Sequence, residues 1–517
     1  MEYKQHQLAG HPLGLFVLFF TEMWERFSYY GMRALFVLYL TSQIAEGGPG
    51  WDRSSASLLY AFYTGLVYLT PILGGFIADK YWGFKKSVVI GGLIMTLGHG
   101  VLAFDPIVAF YAGCILIVIG NGLFKPNISS MVGELYPEGA ASAGLKDAGY
   151  TIFYMGINTG SFIGTLLCGY IGEKVGWHYG FGLAGIFMLI GTLQFHYIRK
   201  FFGHIGEPPA TAAVTTTQTP AEAKAPLTKI EKDRLIVIGI LSFFTVFFWF
   251  AFEQAGSSMN LFARDYTERN LSSPVAANAF KFINAIISLL PACIIAWLLY
   301  NLIKKIGKQY PISIAIITIG ILAIWALVIW MLFKEFTAEK TEVTASWFQT
   351  LNALFIVMFA PLFSWLWKKL STSARYNPSP AMKFAASFIF VGIGFLALVI
   401  GSSQIPQGAM SANVNMIWLV LAFLFHTLGE LSISPVGLSY VSKLAPKRLA
   451  GLMFGLWFFC TFLGNFLAGF TASFMDKISA STSMSGFFTI FVVIPLVVAI
   501  IIMVLNKYMN KKMHGIK

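Results

Sequence analysis

The sequence predicts an all-α polytopic membrane protein, and three observations carry that prediction. Of its 517 residues 57% are hydrophobic and only 11% are charged, with a mean hydropathy of +0.70, far from the roughly 25% charged residues of a soluble domain. Apolar runs recur along the chain, each long enough at about 1.5 Å per residue to cross a hydrocarbon core of about 30 Å. The basic residues gather in alternate connections between these runs, as the positive-inside rule expects of cytoplasmic loops.

In order, the first six spans fall near residues 14–42, 54–78, 87–104, 107–133, 148–172 and 178–199. The composition then changes abruptly. Residues 203–232 are rich in Thr, Pro and Ala, hold too few apolar side chains to bury a core, and read as a cytoplasmic linker. Eight further spans follow near 234–262, 277–303, 311–333, 347–367, 381–402, 415–442, 450–474 and 486–506, for fourteen in all.

An even number of spans places both termini on one side. With the N-terminus cytoplasmic, 25 Lys and Arg residues lie inside and seven lie outside, namely Arg53, Lys174, Arg264, Arg269, Lys334, Lys340 and Lys477. The other four are Arg26, Arg33 and Lys125, deep in helices, and Lys281, close enough to an outer end to snorkel. The net charge of +13 and pI near 9.4 thus reflect membrane orientation, and no nucleic-acid role is expected. Cys114, Cys168, Cys293 and Cys460 lie in apolar spans without paired spacing, so packing is expected of them rather than a disulfide or a metal site. Residues 1–11 lack the basic and short apolar regions of a removable signal, so the first span is expected to be retained.

That first span carries the strongest constraint. Glu22, Glu25, Arg26, Tyr29, Tyr30 and Arg33 follow the i, i+3, i+4, i+7, i+8, i+11 series of one helix face. Each ionised group would cost about 2.5–3.5 kcal/mol at a lipid-facing helix centre, so the stripe must face protein, water or itself. Lys125, Glu253 and Glu430 are the other deep ionisable groups. Arg26, Arg33 and Lys125 belong to the N-terminal half, whereas Glu253 and Glu430 belong to the C-terminal half. A cationic wall opposed to an anionic one suits a molecule carrying both charges, such as a short peptide. Counting Glu22 and Glu25, four carboxylates against three cations leave one negative charge, which one proton would neutralise.

The stretch from Glu22 to Gly31 matches the E-x-x-E-R-F-x-Y-Y-G signature of the proton-coupled oligopeptide transporter family, a branch of the major facilitator superfamily, and the chain resembles its bacterial members. Phe153-Tyr154-Met-Gly-Ile-Asn158-Thr-Gly160 and Gly429-Glu430-Leu431-Ser-Ile-Ser434-Pro435 resemble two more of its motifs. Segments around Gly120 to Asn127, Phe248 to Gln254, and Trp347 to Asn352 are also similar, as is the Gly75 to Lys86 loop to that of the superfamily. The resemblance implies a major facilitator fold of two six-helix bundles, with a helix pair inserted. The expected boundaries are 1–202 for the first bundle, 203–232 for the linker, 233–270 for the first helix of the second bundle, 271–344 for the inserted pair and 345–517 for the remainder. The family's usual extra pair lies between the sixth and seventh core helices; here it follows the Trp249/Glu253 helix. It is expected beside the C-terminal bundle, in lipid-facing packing or an oligomer contact.

The resemblance further implies proton-coupled symport of di- and tripeptides into the cell by alternating access, in a bacterial inner membrane, with protons and membrane lipid as further partners, the proton gradient as driving force and no cofactor. It assigns Arg26, Arg33 and Lys125 to the peptide carboxylate, and Glu430, Asn158 and Asn352 to the amino group. Tyr30, Tyr68, Tyr154, Trp249, Ser434 and Trp457 line the site. Glu22 and Glu25, beside Arg26 and Lys125, are the candidates for proton coupling. Arg33 with Glu253, and Lys125 with Glu430, are the candidate gates. The alternative within the family is symport of nitrate, a peptide-like drug or another small metabolite. An enzyme is not expected, because the chain has no H-E-x-x-H, G-x-S-x-G, clustered Cys/His or Walker A pattern. His99 and His426 are expected to make satisfied helix–helix contacts rather than to carry protons.

Overall fold

A computed structural model describes residues 7–137, 140–208, 226–372 and 377–516. Most of the expected linker lies outside the described residues, as do Lys4, Lys224, Arg375 and Lys517. The fourteen expected spans fall on long helices: α1 Leu13–Thr41, α2 Arg53–Ile77, α3 Phe84–Leu102, α4 Ile107–Glu134, α5 Ala140–Lys174, α6 Trp177–Ile198, α7 Lys229–Phe252, α9 Pro274–Ile306, α10 Pro311–Thr337, α11 Thr350–Ser371, α12 Pro380–Ser402, α13 Ile417–Leu444, α14 Ala450–Ala472 and α16 Met484–Lys512. Short helices α8, Ser258–Asp265, and α15, Met475–Ser481, are the other α-helices among the described residues. Among the described residues twelve helices are long and apolar enough to cross a membrane; α1, with its four ionisable residues, and the 19-residue α3 are the other two. This is a multi-pass, all-α membrane protein.

The described residues form two compact units. The first holds 7–50, 70–208 and 269–353, and the second holds 51–69, 226–268 and 354–516. In the first, α1 is the core: every residue from Leu13 to Leu40 except Tyr30 is buried. Glycines permit this. Gly156, Gly160 and Gly164 repeat at i, i+4 and i+8 on α5, and a Cβ at Gly160 or Gly164 would collide with the backbone of Met23 or Phe27, so α1 and α5 approach as closely as small-residue seams allow. The Gly160 of the sequence motif therefore has a packing reason.

The inserted pair α9–α10 corrects the expectation. It seats on α5 and α6 and belongs to the first unit, where the expectation had grouped it with the C-terminal helices. Gly320 of α10 and Gly191 of α6 both press on Trp24 of α1, and Ser313 Oγ donates to the Gln194 carbonyl at 3.0 Å. Chain adjacency suggested the other neighbour, but an apolar helix carries no local signal of its partner; the fit of two glycines around an indole decided it. Cys293, expected to pack, is exposed on α9, while Cys114, Cys168 and Cys460 are buried. Glu335 of α10 is a buried acid that the sequence reading did not count; it accepts a hydrogen bond from Tyr170.

Charges tie the far end of the hairpin. Lys281 Nζ reaches the Phe336 and Ala338 carbonyls at 3.4 Å, as a snorkelling lysine would. Glu342, between α10 and α11, accepts from Lys174 at 2.6 Å and pairs with Arg269 at 2.8 Å. Burial acts to raise the Glu342 carboxyl, but the hydrogen bond from Lys174 and the charge of Arg269 outweigh it and hold the group below its ordinary value. A depressed folded value means that the tie contributes fully above the ordinary carboxylate value and is lost as the pH falls through the lowered one. Hydrogen exchange of residues 340–344 is expected to accelerate as the pH falls below the ordinary carboxylate range in the wild type, after correction for intrinsic rates. Glu342→Gln should remove that step; an unchanged step would exclude Glu342 as its origin.

In the second unit, α7 starts with a capping box, in which Thr228 accepts from the Glu231 amide and Glu231 reaches back to Thr228. Asp233 accepts from Lys512 at 2.5 Å and contacts His514 at 2.8 Å, fastening the end of α16 to that start. The single span expected near 234–262 is interrupted. A three-residue-per-turn segment, Glu253–Gly256, separates α7 from α8, where Gly256, Ser257 and Ser258 offer little helix propensity. The break holds Glu253.

Candidate functional site

The first unit assembles the charged stripe as expected. Arg26 Nε lies 2.9 Å from Glu22 Oε1, one turn away, and also pairs with Glu25. Glu22, Glu25 and Arg26 are each no more than 2% exposed. Asn121 Nδ2 of α4 donates to Glu25 Oε1 at 2.9 Å, and the Lys125 ammonium, one turn further along α4, acts electrostatically on both carboxylates. Two carboxylates thus face one buried guanidinium and one half-buried ammonium, a balanced set of the kind that survives away from water only with its charges paired. Removing or adding one proton unbalances it, which is what a proton-linked site needs. Sequence reasoning found Lys125 but missed Asn121, although the i, i+4 spacing put both on one face.

Further along α1, the guanidinium of Arg33 lies 5.6 Å from the Tyr30 ring centre and that of Arg26 lies 5.3 Å from that of Tyr29, within cation–π range. On α5, Asn158 Nδ2 donates to the Tyr154 carbonyl of its own helix at 2.9 Å, which leaves the amide oxygen as the group an ammonium can use. Tyr154 and Asn352, the latter in the first turn of α11, are half-buried.

The second unit holds the remaining candidates. Glu253, at the break after α7, is 2% exposed, and Trp249, one turn earlier, sets its Cβ against Gly464 of α14. Glu430 and Ser434 lie one turn apart on α13 and are half-buried, as is Tyr68 on α2. Trp457 is buried against Gly437 and stands 6.4 Å from the Phe384 ring.

One expectation changes, and one residue gains a role. His99 and His426 are buried helix–helix residues, but neither imidazole is satisfied: both ring nitrogens of each lack a hydrogen-bond partner among the described residues. His426 lies instead against Phe395, 4.5 Å between ring centres, and Phe252. Arg53, placed by the sequence among outer charges, is a node of the second unit. Its Nη2 donates to Asp265 Oδ2 at 2.8 Å and to the Met410 carbonyl at 2.9 Å, and its Nη1 to Asp476 Oδ1 at 2.9 Å and the Tyr266 hydroxyl at 3.0 Å. Partners more than 200 residues away give no local signal.

Comparison with known proteins places this geometry among transporters. The model of the POT family matches residues 85–219, 211–345 and 328–494. The uncharacterized transporter YclF of Bacillus subtilis (strain 168) is 35% identical over 456 residues, covering 86% of this chain and 84% of its own. A di-/tripeptide transporter of Lactococcus lactis subsp. cremoris is 32% identical over 455 residues, covering 84% of each. A crystal structure of a mutant peptide transporter POT in complex with alafosfalin superposes with a TM-score of 0.76 at 29% identity, covering 99% of this chain and 98% of that one.

Proposed function

This chain belongs to the POT family, and on that premise we propose that it carries di- and tripeptides into the cell together with protons, by alternating access. The observation that carries the reading is the buried, charge-balanced set of Glu22, Glu25 and Arg26 with Asn121 and Lys125. Such a set has no use in a passive scaffold, where apolar residues of the same shape would be as stable, and it changes net charge by one with each proton taken up. The neighbours' names and the alafosfalin complex support a peptide-like substrate.

In this proposal Arg26, Arg33 and Lys125 hold the peptide carboxylate, for which a guanidinium fork can donate two parallel hydrogen bonds. Glu430, Asn158 and Asn352 hold the amino group. Tyr30, Tyr68, Tyr154, Trp249, Ser434 and Trp457 form the lining, where aromatic surface with few polar anchors tolerates varied side chains. Arg33, Glu253, Lys125 and Glu430 act as gate residues, and peptide binding shifts the populations they bias. Both termini are cytoplasmic, in a bacterial inner membrane, as the 25-to-7 division of Lys and Arg favours.

The test is uptake of labelled dialanine into proteoliposomes under an imposed pH gradient. Accumulation should follow the gradient, collapse with a protonophore, and be competed by tripeptides but not by single amino acids, tetrapeptides or nitrate. Competition by nitrate with no uptake of dialanine would overturn the peptide assignment.

A further inference from the structure

Among the described residues, the span that runs from Ala345 through α11 to Ser371 has the smallest buried share of the twelve candidate spans. Lateral packing therefore does little to fix its rotation or depth, and its start must do more. That start is unusual. Thr344 occupies the N-cap position, with extended backbone, yet its side chain caps nothing, and its hydroxyl is buried without a partner. Ordinarily such a residue would accept one of the orphan amides of the first turn. Here the carboxylate of Glu173, in the last turn of α5, does so from another helix: Oε2 accepts from the Ala345 amide at 3.0 Å and Oε1 from the Ser346 amide at 2.8 Å. Two further contacts orient the same turn. Trp347 Nε1 donates to the Leu166 carbonyl at 3.0 Å, and its ring stacks on Tyr170 at 5.7 Å.

A bidentate carboxylate with a flanking indole fixes both translation and rotation of a rigid helix end. Asn352 lies six residues beyond Ser346, roughly 10 Å along the axis, and two residues further the chain passes into the second unit. We propose that Glu173 is a positioning residue for substrate selection: by holding the first two amides of this helix, it sets where Asn352 presents its side chain. The proposal rests on the reading of Asn352 as an anchor for the peptide amino group.

The measurement is the ratio of apparent affinities of dialanine and N-acetyl-dialanine, each competing labelled dialanine counterflow in proteoliposomes of the full chain. Asn352→Ala should reduce the wild-type preference for the free amine by roughly tenfold, as expected for a hydrogen bond to a charged group. Glu173→Ala should reduce it to a similar extent, and the double variant no further, because both changes remove one interaction. If Glu173→Ala yields no folded protein, Glu173→Gln, which keeps one acceptor oxygen, is scored the same way. Adding Thr344→Asp to Glu173→Ala supplies a local cap without the link to α5, and should restore thermal stability but not the preference. Equal weakening of both competitors, a multiplicative double variant, or recovery of the preference by the local cap would overturn the positioning role. An unchanged ratio in Asn352→Ala would instead remove the amino-anchor reading, and this proposal with it.

Discussion

Replacing Glu25 by Gln, or Glu22 by Gln, is expected to abolish uphill, proton-driven peptide uptake while leaving counterflow intact. Gln keeps the shape, and at position 25 it can still accept from Asn121, which bonds Glu25 Oε1 at 2.9 Å. It removes the charge that Arg26 and Lys125 face and the group that gains or loses the proton. Exchange of labelled for unlabelled peptide requires no net proton movement, so it should continue. The loss of accumulation should be roughly 5- to 150-fold, the range of a coupling free energy of about 1–3 kcal/mol. Uphill uptake at wild-type levels in both variants would remove these carboxylates from the coupling mechanism. Loss of counterflow as well would make them part of substrate binding instead.

The second large effect is expected at Arg53. Arg53→Ala leaves Asp265 and Asp476 without the guanidinium they share, and leaves the Met410 carbonyl and Tyr266 hydroxyl without its two donors. Breaking a buried pair by removing one member costs about 3–5 kcal/mol. Because the Asp476 side chain is 37% exposed and Asp265 keeps its pair with Arg264 at 2.7 Å, neither acid is left as an uncompensated buried charge, and about 1–2 kcal/mol is the appropriate figure. Thermal unfolding of the purified protein in detergent should register this as a lowered midpoint. Arg53→Lys, with a single point charge in place of a fork, should recover only part of it. Combining Arg53→Ala with Asp476→Asn should cost less than the sum of the two single changes, because both remove one shared interaction. A midpoint unchanged by Arg53→Ala would show the node to be energetically idle.

How much could be read from the sequence follows the range of each interaction. The fourteen spans were legible because hydrophobic length is a local property, and the α1 stripe because helical periodicity converts the spacing of residues 22 to 33 into a face. The Arg26 pairs with Glu22 and Glu25 are of this kind, being four residues and one residue apart. Asn121 was within reach, since its spacing from Lys125 already placed the two together. The break at Glu253 was half-visible: its glycine and serines were in plain sight, but a bilayer-length apolar run hides an interruption.

Local sequence therefore carries the class of protein, its spans, the charged face of the first helix and, through its motifs, the family. Only the tertiary structure decided which bundle the inserted hairpin covers, which distant acids Arg53 joins, and that Glu173 rather than Thr344 caps the Asn352 helix. The physical reason is the same in each case. Helix formation and membrane insertion are set by neighbours within a turn or a span, whereas an apolar helix face or a lone exposed-looking charge has many admissible partners. The choice among them is made by shape and by the pairing of buried polar groups across the fold, as by Gly320 and Gly191 against Trp24 and by one carboxylate against two amides from another helix.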